Sequence, residues 1–144
     1  MDRRQLLKRG AFFTVAVATG ALAACSGDPA PASGTYLFDQ GVASGDPRAD
    51  SVVFWTRCVR ADGAAENIPV HLQVSTSADF AAYVGQVTLT TDAAWDNTLR
   101  AKITGLPANT PLYYRFVAGS DVSPVGRTKT APAATTTVAQ ARFA

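Results

Sequence analysis

The chain has 144 residues, 47% of them hydrophobic, with 13 basic and 11 acidic side chains and a formal charge of +2. That length holds one ordinary domain plus tails, at about 100 to 150 residues per domain. Four basic residues and one acidic residue fall in the first 24, leaving nine basic against ten acidic, a balance of −1 with no Lys/Arg cluster; nucleic-acid binding, which needs a basic patch, is thereby excluded.

Residues 1–24 read as an export signal. "MDRRQLLKRG" carries Arg3, Arg4, Lys8 and Arg9, and the apolar run 11–24 that follows has 14 residues, too short for the roughly 20 of a membrane-spanning helix. Arg3 and Arg4 ahead of "QLLK" resemble a twin-arginine signal, with Asp2 and Leu6 departing from its usual pattern; an ordinary secretory signal with a basic start is the alternative. "LAAC", Leu22 to Cys25, looks like a lipobox and predicts Cys25 as a lipid-bearing first mature residue, its thiol being suited to a thioether. Cleavage after Ala21–Ala23 is the other reading and would leave Cys25 in a mobile tail. With Cys25 so placed, Cys58 is predicted to be an unpaired, buried small hydrophobe.

Residues 25–35, "CSGDPAPASGT", have the Pro/Ser/Gly composition of a flexible tether, which predicts attachment to a membrane through the lipid anchor. Period-two patterning begins at Tyr36. It predicts seven short strands: "YLFDQGVASGDP"; "DSVVFWTRCVR" with Val53 and Trp55 on one face; "IPVHLQVS" with Val70, Leu72 and Val74 on one face; "AAYVGQVTLT"; "NTLRAKITGL" with Leu99, Ala101 and Ile103 inward; "LYYRFVAG" with Leu112, Tyr114 and Phe116 inward; and "VSPVGRTKT" at an edge. Turn-forming stretches separate them, and one helical turn at most is expected, at Ser77–Ala82. The fold class is all-β, a seven-stranded β-sandwich over residues 36–132, with Trp55 as its expected central plug, burying roughly 150 to 250 Å². Residues 133–144 read as a linker ending in "ARFA", which has strand character and implies further sequence beyond it.

"GLPANTPLYYRF", Gly105 to Phe116, resembles the turn and strand of fibronectin type III domains, with Pro107 one place early and Leu112 where the corner tyrosine usually sits, which speaks against a tyrosine corner. "FDQGVASGDPRADSVVFWTR", "GLPANTPLYYRF" and "SPVGRTKTAP", in that order, resemble the N-terminal domain of PhoD-type alkaline phosphatases from Tyr36 to about Pro132. The resemblance implies a fibronectin-III-like (immunoglobulin-like) sandwich ahead of a catalytic domain, the first strand of which "ARFA" would begin. It also implies calcium and iron in that domain, held by Asp, Asn, His and Cys, and an interaction of this segment with its own catalytic domain. A twin-arginine route, which exports folded proteins with cofactors in place, agrees with it.

Within the chain itself no residue is assigned to catalysis, metal or cofactor. A two-metal phosphoesterase needs several His and Asp ligands, and the single histidine, His71, alternates with Val70 and Leu72 and so faces solvent. "GVASGDP", residues 41–47, is not a phosphate loop, since Gly45 is followed by Asp46 and Pro47 rather than Lys and a helix. It reads as a strand end and turn, with Gly41 and Gly45 supplying positive φ. Asp46 and Asp50 are too few oxygens for calcium. Arg57 is expected in an ion pair within or between domains. Trp95 is expected to cover one end of the sandwich, a binding aromatic being the alternative. The expected function is thus a non-catalytic accessory domain; the rival is a free-standing fibronectin-like envelope lipoprotein that binds glycan or protein, which an exposed aromatic pair on one sheet face would favour.

Overall fold

The computed structural model describes residues 34–137 and the backbone of 13–16. Eleven strands are found among them: β1 (Phe13–Ala16), β2 (Tyr36–Leu37), β3 (Val42–Gly45), β4 (Ser51–Arg57), β5 (Val59–Arg60), β6 (Pro69–Ser75), β7 (Gly85–Thr90), β8 (Thr98–Thr104), β9 (Pro111–Ala118), β10 (Asp121–Val122) and β11 (Gly126–Lys129), with one 3-10 turn at Ala93–Trp95. The seven predicted strands correspond to β2/β3, β4/β5, β6, β7, β8, β9 and β10/β11. The turn at 77–82 forms no helix.

Two sheets make a sandwich. The first has the order β1-β8-β4-β3; the second has β7-β6-β9, with β10 and β11 both paired to β9; β2 and β5 form a small ribbon. Every pairing is antiparallel except β1 with β8, which is parallel. Antiparallel pairs joined by short turns tolerate one wet face, which is why the long strands alternate buried and less buried residues.

The inward residues of the two sheets meet in a single core of Val52, Phe54, Cys58, Val70, Leu72, Val74, Leu99, Ala101, Ile103, Leu112, Tyr114 and Phe116, closed by Tyr36, Ile68, Leu89 and Leu106. Phe54 and Tyr114 bridge the sheets with ring centroids 4.8 Å apart and tilted by 56°, and Tyr114 meets Phe116 edge-on at 6.4 Å. Such pairs add about 0.5 to 1.5 kcal/mol beyond area burial. The expected inward sets of β6, β8 and β9 are all buried.

That of β4 is not. Its buried residues are Ser51, Val52, Phe54 and Thr56, whereas Val53, Trp55 and Arg57 lie half-exposed on the outer face. Trp55 is therefore not the central plug; Phe54 is. Both phases of this strand are apolar, and Arg57, in phase with Trp55, carries the charge that belongs outside. Among the described residues every core side chain lies between Tyr36 and Ala118.

The chain enters and leaves at opposite ends. Tyr36 pairs with Arg60 past the end of β4, and its N–H donates to Asp121 at the start of β10, just after β9. After β11, the N–H of Ala131 donates to Arg48 and its carbonyl accepts from Asn109, beside the starts of β4 and β9. The seven residues of β4 separate the two ends by about 23 Å, at roughly 3.3 Å per residue.

Candidate functional site at the loop end of the sandwich

The end at which the chain enters carries the loops after β4, after β7 and after β9. Between the first two lies an open cleft of about 290 Å³ lined by Val59, Gly63, Ala64, Ala65 and Ala93 together with Arg57, Arg60, Asp96 and Asn97. Its position follows from local chemistry. The 3-10 turn Ala93–Trp95 is capped by Asp92, which accepts from the N–H of Ala94, and ends at Asp96 in the left-handed conformation, φ 58°, a region that Asp tolerates better than most residues. Asn97 follows, also left-handed at φ 50° and buried. It accepts from Thr91 at 2.6 Å, and Thr91 in turn accepts from the N–H of Ile68. That buried relay ties the loop after β7 to the start of β6.

The charged lining is self-paired. Arg57 forks onto Asp96, Nε to Oδ2 at 3.0 Å and Nη2 to Oδ1 at 2.8 Å. The expected ion pair of Arg57 is therefore within the domain. Arg60 donates to Asp62 at 2.6 Å and to Glu66 at 3.2 Å, and Glu66 also accepts from the Tyr36 hydroxyl. The guanidinium of Arg60, followed by the N–H of Ala64, holds the Asp62 carboxyl well below the usual carboxylate range; Arg57 lowers that of Asp96. Two arginines already neutralised by carboxylates present no net positive charge to a phosphate ester. These pairs are exposed and contribute little each.

Trp95 stands on the rim, 49% exposed. It does not cover the end of the sandwich as the sequence predicted, because the capped turn holds the residue on its outside. Among the described residues the other exposed aromatic, Tyr83, is 42% exposed and sits before β7, at the opposite end. No aromatic pair shares a sheet face at these two residues.

The remaining predicted positions are scattered. Asp46 pairs with Arg48 at 3.3 Å. Gly41 has φ 67°, as expected, but Gly45 does not have a positive φ; Asp46, at φ 45°, takes that conformation instead, and β3 runs through Val42–Gly45 before the turn. Within "GVASGDP" the side chain that matters is Ser44, which interacts with the hydroxyl of buried Tyr114. Leu112, in the place of a corner tyrosine, is wholly buried. His71 lies outward on β6, its Nδ1 2.8 Å from the hydroxyl of Thr88. Cys58 is a free, buried thiol, which burial pushes up to about 12. Cys25, Arg3, Arg4 and residues 138–144 lie outside the described residues.

Among the described residues no group of three or more His, Cys, Asp or Glu could hold a metal ion, and no helix is long and apolar enough to cross a membrane. The Arg60–Asp62–Glu66–Tyr36 network was not foreseen; only the short spacing in "RADG" hinted at part of it.

Comparison with known proteins places this geometry. Residues 21–132 match the family described as PhoD-like phosphatase, N-terminal domain. The chain is 37% identical over 136 residues to alkaline phosphatase D of Bacillus subtilis (strain 168), an alignment covering 91% of this chain and 23% of that protein. It superposes on the solved structure of PhoD with a TM-score of 0.69 at 38% identity, over 76% of this chain and 22% of that one. The sensor domain of the anti-sigma factor RsgI4 of Pseudobacteroides cellulosolvens shares the fold at a TM-score of 0.50 and 11% identity, covering 65% of this chain and 93% of that domain. This chain thus spans less than a quarter of the length of alkaline phosphatase D, and it belongs to the N-terminal domain family of the PhoD-like phosphatases.

Proposed function

We propose that this domain is a non-catalytic spacer and stabiliser of an exported PhoD-like phosphatase, standing between a lipid anchor at Cys25 and a catalytic domain that follows it. The observation that carries this reading is the placement of the chain's two ends at opposite poles of a rigid sandwich. A tether of 11 residues, 25–35, reaches about 36 to 40 Å at most when extended, so the loop end faces the membrane and the far end faces outward. The export reading rests on Arg3, Arg4 and the apolar run, and the anchor on "LAAC". Localisation is then the cell envelope.

Calcium and iron, implied for the catalytic domain by the family, do not fit this segment. Asp46, Asp62, Glu66 and Asp96 are paired with arginines, Asp79 with Ser77 and His71 with Thr88, and among the described residues no three metal-binding side chains come together. No step of phosphoester hydrolysis is therefore assigned to these residues. The rival reading, a free-standing binding module for glycan or protein, draws no support from the paired loop-end charges or from two aromatics at opposite poles.

Residues 26–144, purified and supplied with calcium and ferric iron, should leave p-nitrophenyl phosphate and bis-p-nitrophenyl phosphate unhydrolysed. Turnover that persists through repeated purification and disappears on unfolding would overturn the proposal.

A further inference from the structure

The pairing of β1 with β8 has no place in the spacer reading. β8 is the outermost long strand of its sheet, seven residues without proline, bonded to β4 along its whole length from Ser51 opposite Thr104 to Arg57 opposite Thr98. Its other edge would present a row of unpaired N–H and C=O groups, the feature through which sheets recruit foreign strands. That edge is taken by Phe13–Ala16, in parallel, with Phe13 beside Ala101, Thr14 beside Lys102, Val15 beside Ile103 and Ala16 beside Thr104.

The register is the informative part. In β8, Ala101 and Ile103 are buried while Lys102 and Thr104 are not. The two large apolar residues of the leader stretch, Phe13 and Val15, fall at the register positions of Ala101 and Ile103, and Thr14 at that of Lys102. A slip of one residue would invert the match, so the alternation fixes which phase of the leader stretch falls at the buried positions of β8. Chain length also permits it. The 19 residues from 17 to 35 reach about 63 Å when extended, well beyond the roughly 23 Å length of β8.

We infer that the β8 edge is a strand-acceptor site whose occupant is the chain's own leader, Phe13–Ala16, docked in the precursor by strand addition. The docked stretch begins nine residues after Arg4 and leaves the paired arginines out of the ladder. Docking closes the open edge of the folded domain and engages Phe13–Ala16 of the apolar run until export machinery draws it away. Removal of the leader then bares β8, with Arg100 and Lys102 as the charges that discourage edge-to-edge aggregation. The pairing itself does not depend on the spacer reading, nor on where the leader is cut.

Hydrogen exchange on residues 1–144 carrying Cys25→Ser and on residues 26–144, which lack Cys25, tests this directly, since the described core, Tyr36 to Ala118, lies wholly within the shorter chain. Peptides spanning 98–104 should exchange about tenfold or more slowly in the longer chain at the amides not bonded to β4. The double substitution Thr14→Pro/Val15→Pro, which removes whichever of two successive amides faces β8, should abolish the difference, whereas Ala21→Pro should keep it. As a second readout, Thr14→Cys/Lys102→Cys should form a disulfide under mild oxidation much faster than the out-of-register pair Val15→Cys/Lys102→Cys. Equal exchange in the two chains, or equal cross-linking of the two pairs, would overturn the inference. So would protection that rises with the concentration of the 26–144 chain, which would assign the edge to a second copy.

Discussion

Phe54 and Trp55 are neighbours in sequence and opposites in the structure. Phe54 has no exposed surface and touches Tyr114 across the core; Trp55 is half-exposed on the outer face between Ala43 and Arg100. Phe54→Ala should therefore cost about 3 to 5 kcal/mol, the range for a buried aromatic, and Trp55→Ala no more than about half of that, because exposed surface forfeits less transfer energy. Urea midpoints of the two variants in the 26–144 chain decide it; a larger loss at Trp55 would contradict the assignment. Cys58 offers a second check. Desolvation raises its thiol to about 12, leaving almost no thiolate at neutral pH, and its side chain is sealed in the core. With Cys25→Ser, an aromatic disulfide reagent at pH 8 should find no reactive thiol in the native chain and one after denaturation. The sequence showed Cys58 as a buried thiol correctly, yet it misplaced Trp55, because size and apolarity were weighed above the phase that Trp55 shares with Arg57.

Strands are set by alternation, but their fit depends on close approaches that alternation does not encode. Gly126, at the start of β11, lies against the ring of Tyr114; a Cβ there would stand 2.2 Å from Cζ and 2.6 Å from the hydroxyl. Tyr114 cannot retreat, being buried and packed against Phe54 and Phe116. Gly126→Ala should destabilise by about 1 to 3 kcal/mol through overpacking, read as a lower urea midpoint with unchanged slope. Gly45→Ala should be near neutral, since a Cβ there meets nothing within 4 Å and its φ is not positive. In the sequence Gly45 reads as a turn residue and Gly126 as part of an edge strand, and neither reading tells which of them is crowded. Only the position of Tyr114 separates them.

At the scale of the whole molecule, ionisation defines a pH window. The carboxyls of Asp62, Asp79 and Asp96 are held below their usual range by Arg60, Ser77 and Arg57 respectively. A carboxyl depressed on folding lends stability that is present above its unfolded pKa of about 3.9 and lost as pH falls through the folded values. The raised thiol of Cys58 acts in the other direction. Its contribution is complete below the ordinary thiol pKa of about 8.5 and is lost as pH rises toward the folded value. The urea midpoint of the 26–144 chain should accordingly be flat from about pH 5 to 8 and fall on both sides, with Cys58→Ala flattening the alkaline limb. A midpoint that climbed below pH 4 would contradict the pairing of these carboxylates.

The sandwich class, the inward sets of β6, β8 and β9 and the solvent-facing His71 were all legible in the sequence, because strand periodicity and turn chemistry are local properties written within a few residues. Family membership was legible too, since three separated stretches kept their order and wording. Which face of β4 is buried, the pairing of Arg57 with Asp96, the clearance around Gly126 and the match of Phe13–Ala16 to β8 were decided only in three dimensions. Each is a contact between residues far apart in the chain, where two or more partners satisfy the local pattern equally well and only packing against a second sheet, or register along a neighbouring strand, selects between them.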